Sequence, residues 1–394
     1  MEDYGGGDEL RGQDGPLRVR IVDDQNPLYE ALLNAGSELG LPDNPDYNGA
    51  EQEGIVRTQA TISNGRRQSA AYAYLDPIRG RKNLTIFTEA EVQCLILDKG
   101  ACTGVAVRIK GQNHTLKATR EVIVSAGAIN SPKVLELSGI GRREVLDAHG
   151  IELAHELPGV GESLRDHIGP RMVFGIKRPD ASFSAQGHSF GLIGQILRYA
   201  FTRRGLLSLP TAPILGFVRT RPELASPDVQ YHFVPYRVVL KDGKRGMGKN
   251  PAITVTVNQC RPESLGSVHI NTSDPSVAPS IRFNFLANEL DCRTLVDGIR
   301  FVRRLMATSA MSDIVGEELQ PGIDAASDDD ILAFIRDKAE TVYHPVGTCK
   351  MGQDPMAVVD DELRVHGIRK LRVADASIMP TLTSGNTNAP SIMI

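Results

Sequence analysis

The chain has 394 residues and a formal net charge of −4, enough length to bury a large core and to hold two or more domains. Near-balanced charge excludes a broad basic field for nucleic acid and an acidic solvating tail, and no apolar run reaches the roughly 18 residues that a membrane span needs. The five cysteines, Cys94, Cys102, Cys260, Cys292 and Cys349, form no CxxC pair and no zinc spacing, so no metal site is expected. Scattered thiols and the lack of a basic-then-apolar leader make the expected compartment cytoplasmic.

The first strand-like run is PLRVRIV. NPLYEALLNAGSELG follows, with Leu28, Ala31, Leu32, Ala35 and Leu39 on one helical face. GIVRTQATIS reads as a second strand and QSAAYAYL as a short helix. NLTIFT, VQCLILD, GVAVRIK and NHTLKA then read as short strands. The apolar run Val122 to Val124 feeds a short helix after Pro132 through small residues, the pattern of a buried parallel strand and tight turn. From about Ile168, RMVFGIKR, DVQYHFVPY, ITVTVNQC and GSVHIN look like half-exposed antiparallel strands. Leu295, Ile299, Val302 and Met306 mark one face of a long helix. LRVADAS is a further strand ending in small and acidic residues, and Pro390 stands where a last helix would begin. The expected class is α/β, one domain interrupted in sequence by another with an antiparallel sheet.

GAINSPKVLELSGIG, residues 127–141, carries the most information. A strand that ends in Ser-Ala-Gly admits a ligand close to the backbone, and the helix beyond can offer its N-terminal amides. A tight packing turn explains the same residues equally well. As a string, the run resembles the second signature of the glucose-methanol-choline (GMC) flavoprotein oxidoreductases. LPGVGESLRDH, RPESLGSVHINTSDPSVAPSIRFNFL, HPVGTCKMG and VVDDELRVHGIRKLRVADASIMPTLTSGNTNAPSIMI resemble further segments of that family in the same order. Ser163 stands where asparagine is usual, and Leu265 where arginine is common.

The resemblance implies an incomplete FAD-binding, Rossmann-like domain interleaved with an antiparallel-sheet substrate domain. Residues 1–77 are then mostly substrate domain and 78–167 FAD-binding. Residues 168–345 are substrate-binding, and 346–394 are FAD-binding with the catalytic loop. The implied activity is oxidation of an alcohol of the choline type or a related class by hydride transfer to FAD. Reoxidation by oxygen, a quinone or another acceptor stays open. His344, in YHPVGTC, matches the family histidine near the flavin. An imidazole can take the hydroxyl proton near neutral pH. Asn386 matches the second catalytic position, where a neutral amide can hold the substrate oxygen. Val92, Asp375, Ala376, Asn386 and Thr387 match cofactor-contacting positions, and Asn388 is expected to tie the loop.

A competing motif is GHSFG, residues 187–191, which satisfies G-x-S-x-G with Ser189 as a hydrolase nucleophile. That reading needs a buried strand before the serine, where RPDASFSAQ is polar and irregular. The family's G-x-G-x-x-G turn, which holds the pyrophosphate on a helix N-terminus, is not found here. The chain is therefore expected to be an internal piece of a longer protein that holds FAD poorly alone. An inactive fragment is the remaining alternative.

Overall fold

A computed structural model of the chain describes residues 1–6, 9–241 and 244–394. In the first part of the chain the principal elements are helix α1 (Pro27–Glu38), strands β1 (Gly54–Arg57), β2 (Ala90–Asp98), β3 (Ala101–Ile109), β4 (Gln112–Lys117) and β5 (Val122–Val124), and helix α2 (Gly127–Leu137). Then come β6 (Arg171–Ile176), helix α3 (Ser189–Thr202), β7 (Ile214–Val218), β8 (Val229–Val234) and β9 (Ala252–Gln259). The last are α4 (Glu289–Met306), β10 (Val315–Gln320), β11 (Leu371–Val373) and α5 (Asn388–Met393). Two compact units result, each assembled from three stretches of chain.

The first unit takes Met1–Arg81, Ile168–Cys260 and Cys292–Glu340. Its centre is a six-stranded antiparallel sheet in the order β10-β6-β9-β8-β7-β1, with Tyr231 opposite Val257 and Leu215 opposite Val56. β9 is buried along its whole length, which differs from the half-exposed strand expected. The cause is cover on both faces: polar Thr254 and Asn258 on one side of the pleat are as buried as Ile253, Val255 and Val257 on the other. Leu295, Ile299 and Val302 of α4 are fully buried, and the Tyr231 hydroxyl donates to the Gly298 carbonyl at 3.2 Å. α1 starts where expected, with the Asn26 side chain capping the Leu28 amide at 2.9 Å and Pro27 at the first helical position.

The second unit takes Lys82–His167, Arg261–Asp291 and Thr341–Ile394. β5 and β11 pair in parallel, Val122 with Leu371 and Val124 with Val373, while β2, β3 and β4 form an antiparallel meander. Val124, Leu135, Ile140, Val358, Leu371 and Val373 share one apolar cluster, in which each full burial contributes about 1.5–3 kcal/mol. NLTIFT forms no strand: Leu84 to Phe87 is irregular, with no partner strand among the described residues to satisfy its backbone.

α2 begins at Gly127, five residues before the proline that the sequence places at its start. Pro132 therefore lies inside the helix and supplies no amide hydrogen to the Ala128 carbonyl. The Thr348 hydroxyl donates to that carbonyl instead, at 2.5 Å. One turn later, Glu136 is fully buried. It accepts from the Ile270 amide at 2.8 Å and meets His269 Nδ1 at 2.7 Å. His269 Nε2 reaches Glu162 at 3.3 Å, and Glu162 is also paired with Arg142 at 2.9 Å. Hydrogen bonds to the two carboxylates push the His269 pKa up to about 9.

Candidate active site

His344 sits in a loop held from several sides. Tyr343, immediately before it, has φ of +68°, a left-handed conformation that a bulky residue adopts only under constraint. Gly347 has φ of +91°, and a Cβ there would stand 2.3 Å from the Ser163 carbonyl oxygen, so only glycine lets the two backbones approach this closely. Val346 and Arg165 exchange backbone hydrogen bonds at 2.9 and 3.1 Å.

Asp166 and His167 end the ESLRDH segment, and both act on this loop. The Asp166 carboxylate accepts from the His344 amide at 2.8 Å and from the Thr341 hydroxyl, pinning the chain on both sides of Tyr343. Burial raises its pKa to about 6. His167 is buried, and its Nδ1 lies 3.0 Å from Nδ1 of His344, with the rings perpendicular at a centroid distance of 5.2 Å. On the far side of the imidazole, the Asn386 side-chain nitrogen is 3.1 Å from His344 Nε2. The two residues picked out by the resemblance, 42 positions apart in sequence, thus meet side chain to side chain.

These contacts order the protons. The Asn386 amide nitrogen carries hydrogens, and its lone pair is delocalised into the carbonyl, so it donates and His344 Nε2 accepts. A neutral imidazole then carries its hydrogen on Nδ1 and donates it to Nδ1 of His167. Burial holds the His344 pKa down at about 4, which keeps the ring uncharged at neutral pH. An alcohol hydroxyl entering between Nε2 and the carboxamide could give its proton to the first and accept a hydrogen bond from the second.

The cofactor-matched residues lie around the same unit. Asp375 lies two residues beyond the end of β11, caps the turn that follows, and is buried. One carboxylate oxygen accepts from the Gly127 amide at 2.9 Å and the Ser131 hydroxyl at 2.5 Å, the other from the Ser377 amide at 2.8 Å. The amide of Ala126 is taken by Ser131 at 3.1 Å. The amides of Ala126 and Gly127, at the entry to α2, are therefore satisfied internally. Ala376 is half-buried, Thr387 is buried and accepts from Ser391, and Asn388 opens α5. Val92 is exposed on the edge strand β2.

Whether these residues fit a dinucleotide is tested by the space they leave. Both parallel strands are followed at once by short side chains, Ser125-Ala126-Gly127 and Ala374-Asp375-Ala376. Ser125 and Ala126 are exposed, and a Cβ built on Gly127 meets nothing within 4 Å. Open room at the carboxyl ends of parallel strands is where α/β sheets take such ligands, so the residues present fit the cofactor. Ser189 has φ of +48° and opens α3, but turns rather than a strand precede it. The elbow geometry of a hydrolase is not built. Asp166, His167, Ser131 and Thr348 were not singled out from sequence. The signal for the first two was the acid–histidine pair closing a segment that already resembled the family.

Comparison with known proteins bears on the same residues. The GMC oxidoreductase N-terminal profile matches residues 5–169, and the C-terminal profile matches residues 262–394. The chain belongs to the GMC oxidoreductase family. An oxygen-dependent choline dehydrogenase from Vibrio vulnificus is 40% identical over 394 residues, covering 99% of this chain and 70% of that protein. An alcohol dehydrogenase [acceptor] from Pseudomonas putida is 40% identical over 386 residues, covering 97% and 69%. Pyridoxine 4-oxidase from Mesorbium loti superposes with a TM-score of 0.87 at 29% identity, over all of this GMC chain and 73% of that one. Aspergillus oryzae formate oxidase, solved to follow modification of its FAD, gives 0.89 at 27%, over 99% and 74%. FAD is the cofactor of this family, and the chain has its mixed α/β fold. Among the described residues no helix is long and apolar enough to cross a membrane.

Proposed function

We propose that the chain oxidises the CH–OH group of a small alcohol, in the class of choline and simple alcohols, with His344 and Asn386 as the catalytic pair. The observation that carries this reading is the 3.1 Å approach of Asn386 to Nε2 of His344. FAD, when bound, supplies the hydride acceptor. His344 removes the hydroxyl proton at Nε2, so that negative charge gathers on the substrate oxygen. The Asn386 amide donates to that oxygen and lowers the energy of the charge as it develops. Asp166 and His167 keep the ring in the required tautomer and place.

In the same reading, the unit built around the six-stranded sheet is substrate-binding, and the unit built around β5 and β11 holds the cofactor. Val92, Ala376, Asn386 and Thr387 are its contacts to FAD. Asp375 acts by fixing the backbone at the strand ends, since its carboxylate is already saturated by three donors.

The test is anaerobic addition of choline or a primary alcohol to the FAD-reconstituted chain while the flavin's visible absorbance is followed. His344→Ala should slow bleaching by about 10²–10⁴-fold, and Asn386→Ala by about 10²–10³-fold. Bleaching of the His344 variant at the wild-type rate would refute the assignment.

A further inference from the structure

Helix α3 in the first unit is amphipathic the wrong way round. No residue of its fourteen is buried. Its polar side faces the protein: the Tyr199 hydroxyl donates to the Gly65 carbonyl at 3.0 Å, and Gln195 accepts from the Leu206 amide at 2.9 Å. Phe190, Ile193, Leu197 and Phe201 recur at the three- and four-residue spacing of one helical face, with Ile196 beside them. That face points to solvent: Phe190 is 89% exposed and Phe201 85%, and the other three are each about half exposed. An apolar face of this kind, exposed to solvent, marks an interaction site.

The charges around it indicate which. Arg198 lies on the helix, and Arg203 and Arg204 follow its last turn. Arg66 and Arg67 are exposed on a hairpin whose Gly65 abuts the Arg203 carbonyl. None of the five has a salt-bridge partner among the described residues. From Ala181 to Pro222 the sequence contains no aspartate or glutamate. Two acids stand near the cluster: Asp24, which feels the charge of Arg198, and Asp76, which shares a cavity lining with Arg66 and Arg203. A second copy using the same face would therefore bring five arginines against these few acids, and the acid-free helix segment against itself. A sheet of lipid phosphates offers both an apolar layer for the phenylalanines and anions for the arginines.

We propose that α3 docks this protein on an anionic lipid surface, lying in the interface with Phe190, Ile193, Leu197 and Phe201 inserted and the arginine cluster on the headgroups. This is attachment from one side, as basic amphipathic helices make it, and not a span.

The test is flotation of the full chain with phosphatidylcholine vesicles with and without phosphatidylglycerol. The anionic vesicles should carry at least about tenfold more protein than the neutral ones, and high salt should remove most of the difference. Phe190→Ser with Phe201→Ser should abolish flotation, and Arg203→Gln with Arg204→Gln should weaken it. Both pairs are exposed, so melting temperatures should not move. Failure to float with anionic vesicles, or flotation indifferent to both pairs, overturns the proposal. Concentration-dependent self-association that the phenylalanine pair erases, without flotation, assigns the face to a second copy and overturns it too.

Discussion

Two imidazoles, His167 and His344, face each other Nδ1 to Nδ1 at 3.0 Å, and a hydrogen bond there requires one proton between them, not two. With Asn386 donating to the opposite nitrogen, that proton belongs to His344. Replacing His167 with asparagine keeps an acceptor oxygen near the position of Nδ1, whereas leucine removes it. His167→Asn should preserve the ¹⁵N signature of a His344 protonated at Nδ1, while His167→Leu should mix the tautomers and slow flavin reduction by up to about 10²-fold. Equal spectra and rates for the two variants would show that His167 only fills space.

The pH dependence of catalysis should reflect burial. His344 has its pKa lowered from 6.5 to about 4 because a charged ring is poorly solvated there. The base is therefore competent above about pH 4 and is lost as pH falls through that value. The acidic limb of the kcat/KM profile should lie well below 6.5. A limb at or above 6.5 contradicts the neutral, buried base.

Stability should respond to alkali through His269. Its folded pKa, about 9, lies above the unfolded value near 6.5. The charged ring's contribution is complete below about pH 6.5 and disappears as pH rises through about 9. Melting temperature should therefore fall across that interval, and His269→Phe should flatten the fall. A wild-type melting curve that is level from pH 6.5 to 9 would rule out the charged bridge to Glu136 and Glu162.

Thr348→Val removes the hydroxyl that donates to the Ala128 carbonyl and should cost about 1–3 kcal/mol in chemical denaturation. Pro132→Ala restores a helical amide to the same carbonyl. The two changes together should be less damaging than the sum of each alone, a coupling readable from a double-mutant cycle.

Periodic apolar residues that face a core were plain in the sequence: α1 and α4 fall where Leu28, Leu32, Leu295 and Ile299 place them. The His344–Asn386 pair was legible only through resemblance, because nothing in either local stretch says that the two loops converge. Helix α3 was not expected. Its spacing is helical, but the apolar side faces outward, and the same stretch carries the GHSFG motif. The early start of α2 was hidden for a different reason. Proline reads as a helix beginning, and the donor that lets it sit inside the helix, Thr348, is supplied 220 residues away. Asp166 and His167 were missed because an acid beside a histidine acquires meaning only once the loop it grips is adjacent.

Asp375 fastens residues that the ribosome makes far apart. Its oxygen receives the amide of Gly127, 248 positions earlier in the chain. At about 5–20 residues per second, the start of α2 emerges roughly 12–50 seconds before the carboxylate that will hold it exists. Throughout that delay the Gly127 amide lacks its carboxylate and β5 lacks its parallel neighbour, so this corner can close only once the last part of the chain has been made.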